Sequence, residues 1–245
     1  MLARPPFTSV YFDCDSTLSA IEGIDELMAS LPEGSRRELT ELTQRAMEGA
    51  LPLAQVYQQR LATIAPRRDQ LAEIGERYSQ RLTPDADLVV LALQSLGKQV
   101  GIVSGGLLDP VLALARTLGI DERHVHAVPV IFDAMGRYLD FDRTCPLWQN
   151  GGKVTLLRSM PASSRPLAFV GDGATDLETQ GSGADLFVGY GGIAIRPIVK
   201  QRAETWFETP SLAPLLRIVL TTAELHRLAQ DARFRPLLAR AETGS

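Results

Sequence analysis

Two aspartates stand two positions apart in Asp13-Cys14-Asp15-Ser16-Thr17, directly after the apolar and aromatic run Val10-Tyr11-Phe12. Carboxylates at i and i+2 in a loop can divide the labour of phosphoryl transfer. One attacks phosphorus and carries the phosphoryl group as an acyl phosphate. The other gives a proton to the leaving oxygen and then takes one from the incoming water. Taken alone, the pair also fits turn-forming aspartates that cap local amides. A second acidic turn, Gly171-Asp172-Gly173-Ala174-Thr175-Asp176, follows the run Leu167-Ala168-Phe169-Val170. Its glycines let the backbone approach a ligand closely, and Asp172 and Asp176 can hold a metal together with Asp13. An oxygen-only donor set suits Mg2+, which takes octahedral oxygen ligands and retains waters. A glycine-rich turn with solvated acids is the plainer alternative. It weakens once another strand end already offers Asp13 and Asp15.

Ser104-Gly105-Gly106 closes a third apolar run, which begins at Val100. A hydroxyl and free amides at a helix N-terminus make a phosphate site. A serine nucleophile is the rival reading, but Gly101-Ile102-Val103-Ser104-Gly105 is not the Gly-x-Ser-x-Gly elbow, and no histidine has a triad context. Lys153 follows Gly151-Gly152. This is not a P-loop, because Leu147 stands where that motif needs its first glycine and Val154 where it needs Ser or Thr. A solvated lysine is the ordinary reading. The 25 basic residues, however, include only Lys98, Lys153 and Lys200 as lysines. A lysine retained at a glycine-flanked helix start offers a compact ammonium that suits a phosphate oxygen and an aspartate together.

These residues need elements that bring them together. Residues 8–14 read as a buried strand opening into a loop, as do residues 99–104, 166–172 and 184–190. Helical patterns at about 84–97, from Leu107 to Gly119 and from Lys153 alternate with them. Thr83-Pro84 fits an N-cap followed by a first helical position, and residues 127–142 fit a hairpin around Gly136. Such alternation implies an α/β fold with helices on both faces of a parallel sheet. Ligands bind at the carboxyl ends of strands in open parallel sheets, where Asp13, Ser104 and Asp172 all fall. Residues 20–82 break the pattern: Ile24, Leu27, Met28 and Leu31, then Leu39, Leu42, Ala46 and Met47, then Ala54, Tyr57, Leu61 and Ile64, then Leu71, Ile74 and Tyr78 repeat at helical spacing. Ser35-Arg36-Arg37-Glu38 fits a capping box. The expected division is a core of residues 1–18 and 83–245 with a helical cap inserted at 19–82.

Composition narrows the class. The chain has 245 residues, 45% of them hydrophobic, and a net charge of -4. That is enough for a full core. A mildly acidic, evenly mixed surface argues against nucleic-acid binding, which needs a basic stripe. Cys14 and Cys145 form no Cys-x-x-Cys pair, so a zinc site and a secreted disulfide framework are both disfavoured. The first ten residues lack the apolar segment of a signal peptide, and no apolar run is long enough to span a bilayer. The expectation is a reduced, cytoplasmic protein acting on a small molecule, with no nucleic acid or membrane as partner.

In order and spacing these motifs resemble the haloacid dehalogenase (HAD) superfamily, and within it the phosphoserine phosphatase family. The stretches that are similar are 15–27, 45–53, Ser104–Gly106, Gly151–Lys153, Gly171–Asp176 and 188–192, so the resemblance spans about residues 8–210. It implies a HAD-like Rossmannoid core with a helical cap, Asp13 as nucleophile and Asp15 as acid/base. It also implies Mg2+ on Asp13, the Asp15 carbonyl and Asp172, with phosphate held by Ser104, Gly105 and Lys153. Gly106, Thr175 and Asp176 would line the site, and Glu22, Met47 and Arg60 would recognise the substrate. A substrate bearing an ammonium and a carboxylate, as O-phosphoserine does, complements Glu22 and Arg60. Leu53 stands where the family usually has a phenylalanine. The dozen residues before Asp13 leave no room there for a regulatory domain, and those after 210 carry no motif. A phosphotransferase acting on another small alcohol, and a non-catalytic binding protein on the same fold, are the competing readings. The complete set of Asp13, Asp15, Lys153 and Asp172 disfavours the second of these.

Overall fold

Asp13 sits directly after β1 (Ser9–Phe12), a strand buried at every position. A computed structural model describes residues 6–47 and 51–243. After β1 come α1 (Gly23–Met28), α2 (Glu33–Met47), α3 (Leu53–Ile64) and α4 (Arg68–Gln80). The chain continues through α5 (Ala86–Ser95), β2 (Gln99–Leu107), α6 (Leu108–Thr117) and β3 (Val125–Val128), then β4 (Val130–Phe132) and β5 (Tyr138–Phe141). Next are α7 (Gly152–Ser159), β6 (Leu167–Gly171), α8 (Ala174–Leu177), β7 (Leu186–Tyr190), α9 (Pro197–Arg202) and β8 (Trp206–Phe207). The short helices α10 (Leu215–Val219), α11 (Thr222–Ala229) and α12 (Arg235–Thr243) close it.

The expected parallel sheet is present. Its order is β3-β2-β1-β6-β7-β8, and every neighbouring pair runs parallel. Strands β1 and β6 are buried along their whole length because helices cover both faces of a parallel sheet. From β1 the sheet grows outward through β2 and β3, and on the other side from β6 through β7 and β8. The winding therefore reverses between β1 and β6, and the crevice beyond their carboxyl ends is the switch point where such sheets bind ligands. β4 and β5 form a separate antiparallel hairpin, with Gly136 in the left-handed region its turn requires.

Three local readings differ from the sequence expectation. The helix expected to begin after Thr83 begins at Ala86, because Asp85 is left-handed at φ 66°. Contacts distant in sequence hold it there: Ser211 donates to its carboxylate at 2.6 Å and Arg240 at 2.6 and 2.9 Å. Ser35 does not start a helix, since α2 already begins at Glu33, directly after Pro32. Ser104 does not end β2 either. The strand runs on to Leu107, and its ladder with β3 shifts register between Val103 and Leu107. Ser104, Gly105 and Gly106 thus occupy a bulge, the distortion by which a strand re-aims groups near a site.

Candidate active site

The sheet alone brings the first two acids together. Phe12 is in register with Val170, so Asp13 stands opposite Gly171 and Asp172 follows one position further along the adjacent strand end, its backbone about 6 Å from that of Asp13. The Asp13 amide extends that ladder by donating to the Val170 carbonyl at 2.8 Å. Asp176 joins them from the first turn of α8, its Oδ2 accepting from the Gly173 amide at 2.8 Å. A Cβ on Gly171 would lie 2.4 Å from the Asp176 carboxylate, so the close approach needs glycine there.

Asp13, Asp172 and Asp176 are buried, and one oxygen from each lies within 4.8 Å of the others. Burial, followed by the charges of Asp176 and Asp13, pushes Asp172 well above the usual carboxylate range. Burial and Asp13 likewise push Asp176 up to about 7, against the pull of Lys153. Lys153, carried by the start of α7, places Nζ 3.0 Å from Asp13 Oδ1 and 2.5 Å from Asp176 Oδ1. Burial favours its neutral form, but the two carboxylates outweigh burial and hold its ammonium above the ordinary lysine value. Two of the three lysines, Lys98 and Lys153, are buried, which is where a compact ammonium differs most from guanidinium. Asp176 is engaged at both oxygens, by Lys153 and by Gly173. Crowded, buried oxygen donors of one sign are the environment a divalent cation relieves, and these residues fit one.

Asp15 stands beside this group. Its Oδ1 accepts from the Gly23 amide at 2.7 Å and from the Tyr78 hydroxyl at 2.6 Å. Burial, then the charges of Glu22 and Asp13, raise it to about 8, with Tyr78 and Gly23 opposing. A carboxyl kept protonated at neutral pH can donate a proton. Ser104 is fully buried and its Oγ accepts from the Gly106 amide at 2.9 Å. The Gly105 carbonyl accepts from the Tyr57 hydroxyl of α3 at 3.0 Å, which ties that helix to the bulge.

Glu22 lies just before α1. Ser16 donates to its Oε1 at 2.7 Å and Arg196 at 3.0 Å. Arg196 also donates from Nε to Asp172 Oδ2 at 3.2 Å, so one guanidinium spans both acids. Burial raises Glu22, while Ser16 and Arg196 lower it. Arg60 of α3 pairs instead with Asp25 of α1, and its Nε is buried without a partner among the described residues. Thr175 is half-buried on the first turn of α8. Met47 is the last residue of α2, and its side chain lies outside the described residues. A groove of about 750 Å³ between α4 and α6 is lined by residues that include Arg68, Glu76, Asp109 and Arg116, and by none of these site acids.

Tyr78 and Arg196 join the site without a signal of their own in the sequence. Tyr78 closes an apolar stripe and reads as core, and Arg196 is one arginine among many. The nearest pointer to Arg196 is its position shortly after Val188-Gly189-Tyr190-Gly191-Gly192.

Residues 8–179 match the model of the haloacid dehalogenase-like hydrolases. The chain is 38% identical over 203 residues to the phosphoserine phosphatase of Mus musculus, covering 82% of this chain and 88% of that one. It is 33% identical over 199 residues to the chloroplastic phosphoserine phosphatase of Arabidopsis thaliana, covering 80% and 67%. A solved phospho-aspartyl intermediate analogue of phosphoserine phosphatase superposes with a TM-score of 0.70 at 25% identity, over 88% of this chain and all of that one. With a mouse relative at that identity over most of both lengths, the chain belongs to the haloacid dehalogenase-like hydrolases and, among them, to the phosphoserine phosphatases.

Proposed function

We propose that this protein hydrolyses O-phosphoserine to serine and phosphate through an aspartyl phosphate on Asp13. The single observation that carries the chemistry is the approach of Lys153 Nζ to Asp13 Oδ1 at 3.0 Å, with Asp172 on the neighbouring strand. Asp13 attacks phosphorus, the bond to the serine oxygen breaks, and Asp15 gives that oxygen its proton. Asp15 then takes a proton from the water that attacks the aspartyl phosphate, which frees phosphate and restores Asp13. Lys153 and the Ser104–Gly105 bulge hold the phosphate oxygens, with Gly106, Thr175 and Asp176 lining the site. Mg2+ is the metal that the oxygen-only donors suit. Asp13, Asp172 and the Asp15 carbonyl would hold it, and it would offset the repulsion between carboxylate and phosphate.

Glu22 meets the substrate ammonium and Arg60 its carboxylate; the recognition role expected of Met47 falls on a side chain outside the described residues. The buried, unpartnered Nε of Arg60 supports this role, since an unsatisfied buried donor costs about 1–3 kcal/mol until a partner arrives. Residues 19–82 act as a cap over a core of 1–18 and 83–245. This division is supported by the succession of helices α1 to α4, with no strand among the described residues between them, and by the Tyr57 and Tyr78 hydroxyls that reach from it to Gly105 and Asp15. No described helix is long and apolar enough to cross a membrane. Both cysteines are free thiols, which supports a reducing compartment such as the cytoplasm. Phosphate release from O-phosphoserine, O-phosphothreonine, glycerol phosphate and an aryl phosphate, in Mg2+ and in chelator, tests the reading. O-phosphoserine is expected to give the highest kcat/KM. Equal rates on all four, or full activity in chelator, would refute it. The same assay with labelled phosphate and added alcohols reads out phosphotransfer.

A further inference from the structure

We propose that Tyr78 is the positioning residue for the acid/base carboxylate: with the Gly23 amide it occupies Oδ1 of Asp15 and directs that group's proton to Oδ2. The inference rests on the role given to Asp15 above. Among the described residues, both donors to the Asp15 carboxyl converge on one atom, the Tyr78 hydroxyl at 2.6 Å and the Gly23 amide at 2.7 Å. An amide can only donate. A phenol beside a carboxyl also donates, because it is by far the weaker acid. An oxygen that accepts two hydrogen bonds has its lone pairs engaged, so a carboxyl proton belongs on the other oxygen.

That other oxygen lies beside Gly106 of the bulge. A Cβ on Gly106 would lie 2.9 Å from Asp15 Oδ2 and 3.2 Å from Ser104 Oγ, so these two groups border one small space. A proton on Oδ2 is therefore presented beside the proposed phosphate-binding hydroxyl. In the first transfer the bond from Asp13 oxygen to phosphorus forms and the bond from phosphorus to the alcohol oxygen breaks. The proton passes from Oδ2 to that alcohol oxygen.

Tyr78 is fixed for this role. It is 1% exposed and belongs to α4. A Cβ on Gly23 would lie 2.1 Å from its hydroxyl, so the glycine leaves the space the hydroxyl fills. Tyr78 and Asp15 are 63 residues apart in sequence. The proton is thus aimed only when α4 is seated against the loop that follows β1.

Tyr78→Phe in the full chain tests this, with kcat/KM measured for O-phosphoserine and for a nitrophenyl phosphate. This quantity covers the steps up to departure of the leaving group. A serine alkoxide needs the proton, whereas a nitrophenolate leaves without it. The expected result is a fall of about tenfold or more with O-phosphoserine and of less than about twofold with the aryl phosphate. In an Asp15→Asn background the same change should have no further effect. Equal falls on both substrates, no fall with O-phosphoserine, or an undiminished fall in the Asp15→Asn background would each overturn the inference. Thermal melts accompany the assay, and Tyr78→Met repeats the comparison if the phenylalanine variant does not fold. A wild-type enzyme inert toward O-phosphoserine would sink the function proposed above. An active wild type with an unaffected Tyr78→Phe would sink only the role of Tyr78.

Discussion

Arg196 donates to Glu22 at 3.0 Å across 174 residues of sequence. The same guanidinium reaches Asp172 at 3.2 Å, so it offsets two acids that burial alone would keep protonated. Arg196→Ala should destabilise the metal-free protein by about 1–3 kcal/mol, reduced from a fully buried pair because the side chain is a third exposed. It should also enlarge the rise in Tm on adding Mg2+, since the acids left behind attract a divalent cation more strongly. Paired melts in chelator and in Mg2+ read both effects, and an unchanged metal-free melt would count against this account.

Asp13→Asn should remove turnover, because a neutral amide cannot form the acyl phosphate. Folding should survive, as the substitution takes one negative charge out of a crowded acidic group. Ser104→Ala should lower kcat by roughly tenfold to a hundredfold, as expected for losing one phosphate-binding donor. Steady-state phosphate release from both variants is the check. Near-normal turnover in Asp13→Asn would rule out the nucleophile.

Stability of the metal-free protein should fall as pH rises. In the folded state Asp176 is raised to about 7 and Asp15 to about 8, from an ordinary value of 3.8. Above that ordinary value the unfolded chain has released protons that the folded chain still holds. Raising the pH through 7 and 8 strips them from the folded state, so the stability they contribute at lower pH is lost. Tm in chelator should therefore decline between about pH 5 and 8. Mg2+ should flatten the decline, because the cation replaces protons as the neutralising charge. A metal-free Tm that climbs across this window would contradict the assignment of protonated site acids.

Arg60→Ala should lower kcat/KM for O-phosphoserine by about 2–5 kcal/mol of transition-state binding, or roughly 30-fold to several thousand-fold. The loss with an aryl phosphate, which has no carboxylate to meet, should be much smaller. On the proposed reading Leu53 lines the cap pocket, where it leaves more room than phenylalanine would, so O-phosphothreonine should be tolerated. Equal losses on all three substrates would mean that Arg60, through Asp25, supports the packing of α1 on α3 rather than reading the substrate.

Lys98 marks a part of the molecule away from the chemistry. Its buried Nζ donates to the Phe7 carbonyl at 2.7 Å and to Glu224 of α11 at 2.6 Å. Lys98→Ala removes the cation from Glu224, which keeps the Thr221 amide and hydroxyl, and should destabilise the protein by about 1–3 kcal/mol, leaving kcat unchanged at temperatures where the variant is folded. Urea unfolding and a kcat measurement at low temperature separate the two effects.

Much of the site could be read from local chemistry. An apolar run that stops at an aspartate reads as a buried strand opening into a loop, so the strand-end positions of Asp13 and Asp172 were legible, and alternation of strands and helices implied the parallel sheet that joins them. Lys153 was legible from the rarity of lysine and its flanking glycines, and the likeness to a known family supplied Glu22, Arg60 and Met47. Other features needed the folded chain. Tyr78 looks like a core residue on a helical stripe, and only the seating of α4 brings its hydroxyl to Asp15. Arg196 became a partner of Asp172 and Glu22 through the order of β1, β6 and β7. Thr83 would have capped a helix by local rules, but Ser211 and Arg240 bind the carboxylate of Asp85, which is left-handed, and the helix begins only at Ala86. Strand ends and caps follow from neighbours a few residues away, whereas a hydrogen bond spanning 63 or 174 residues exists only once packing has brought its two ends together.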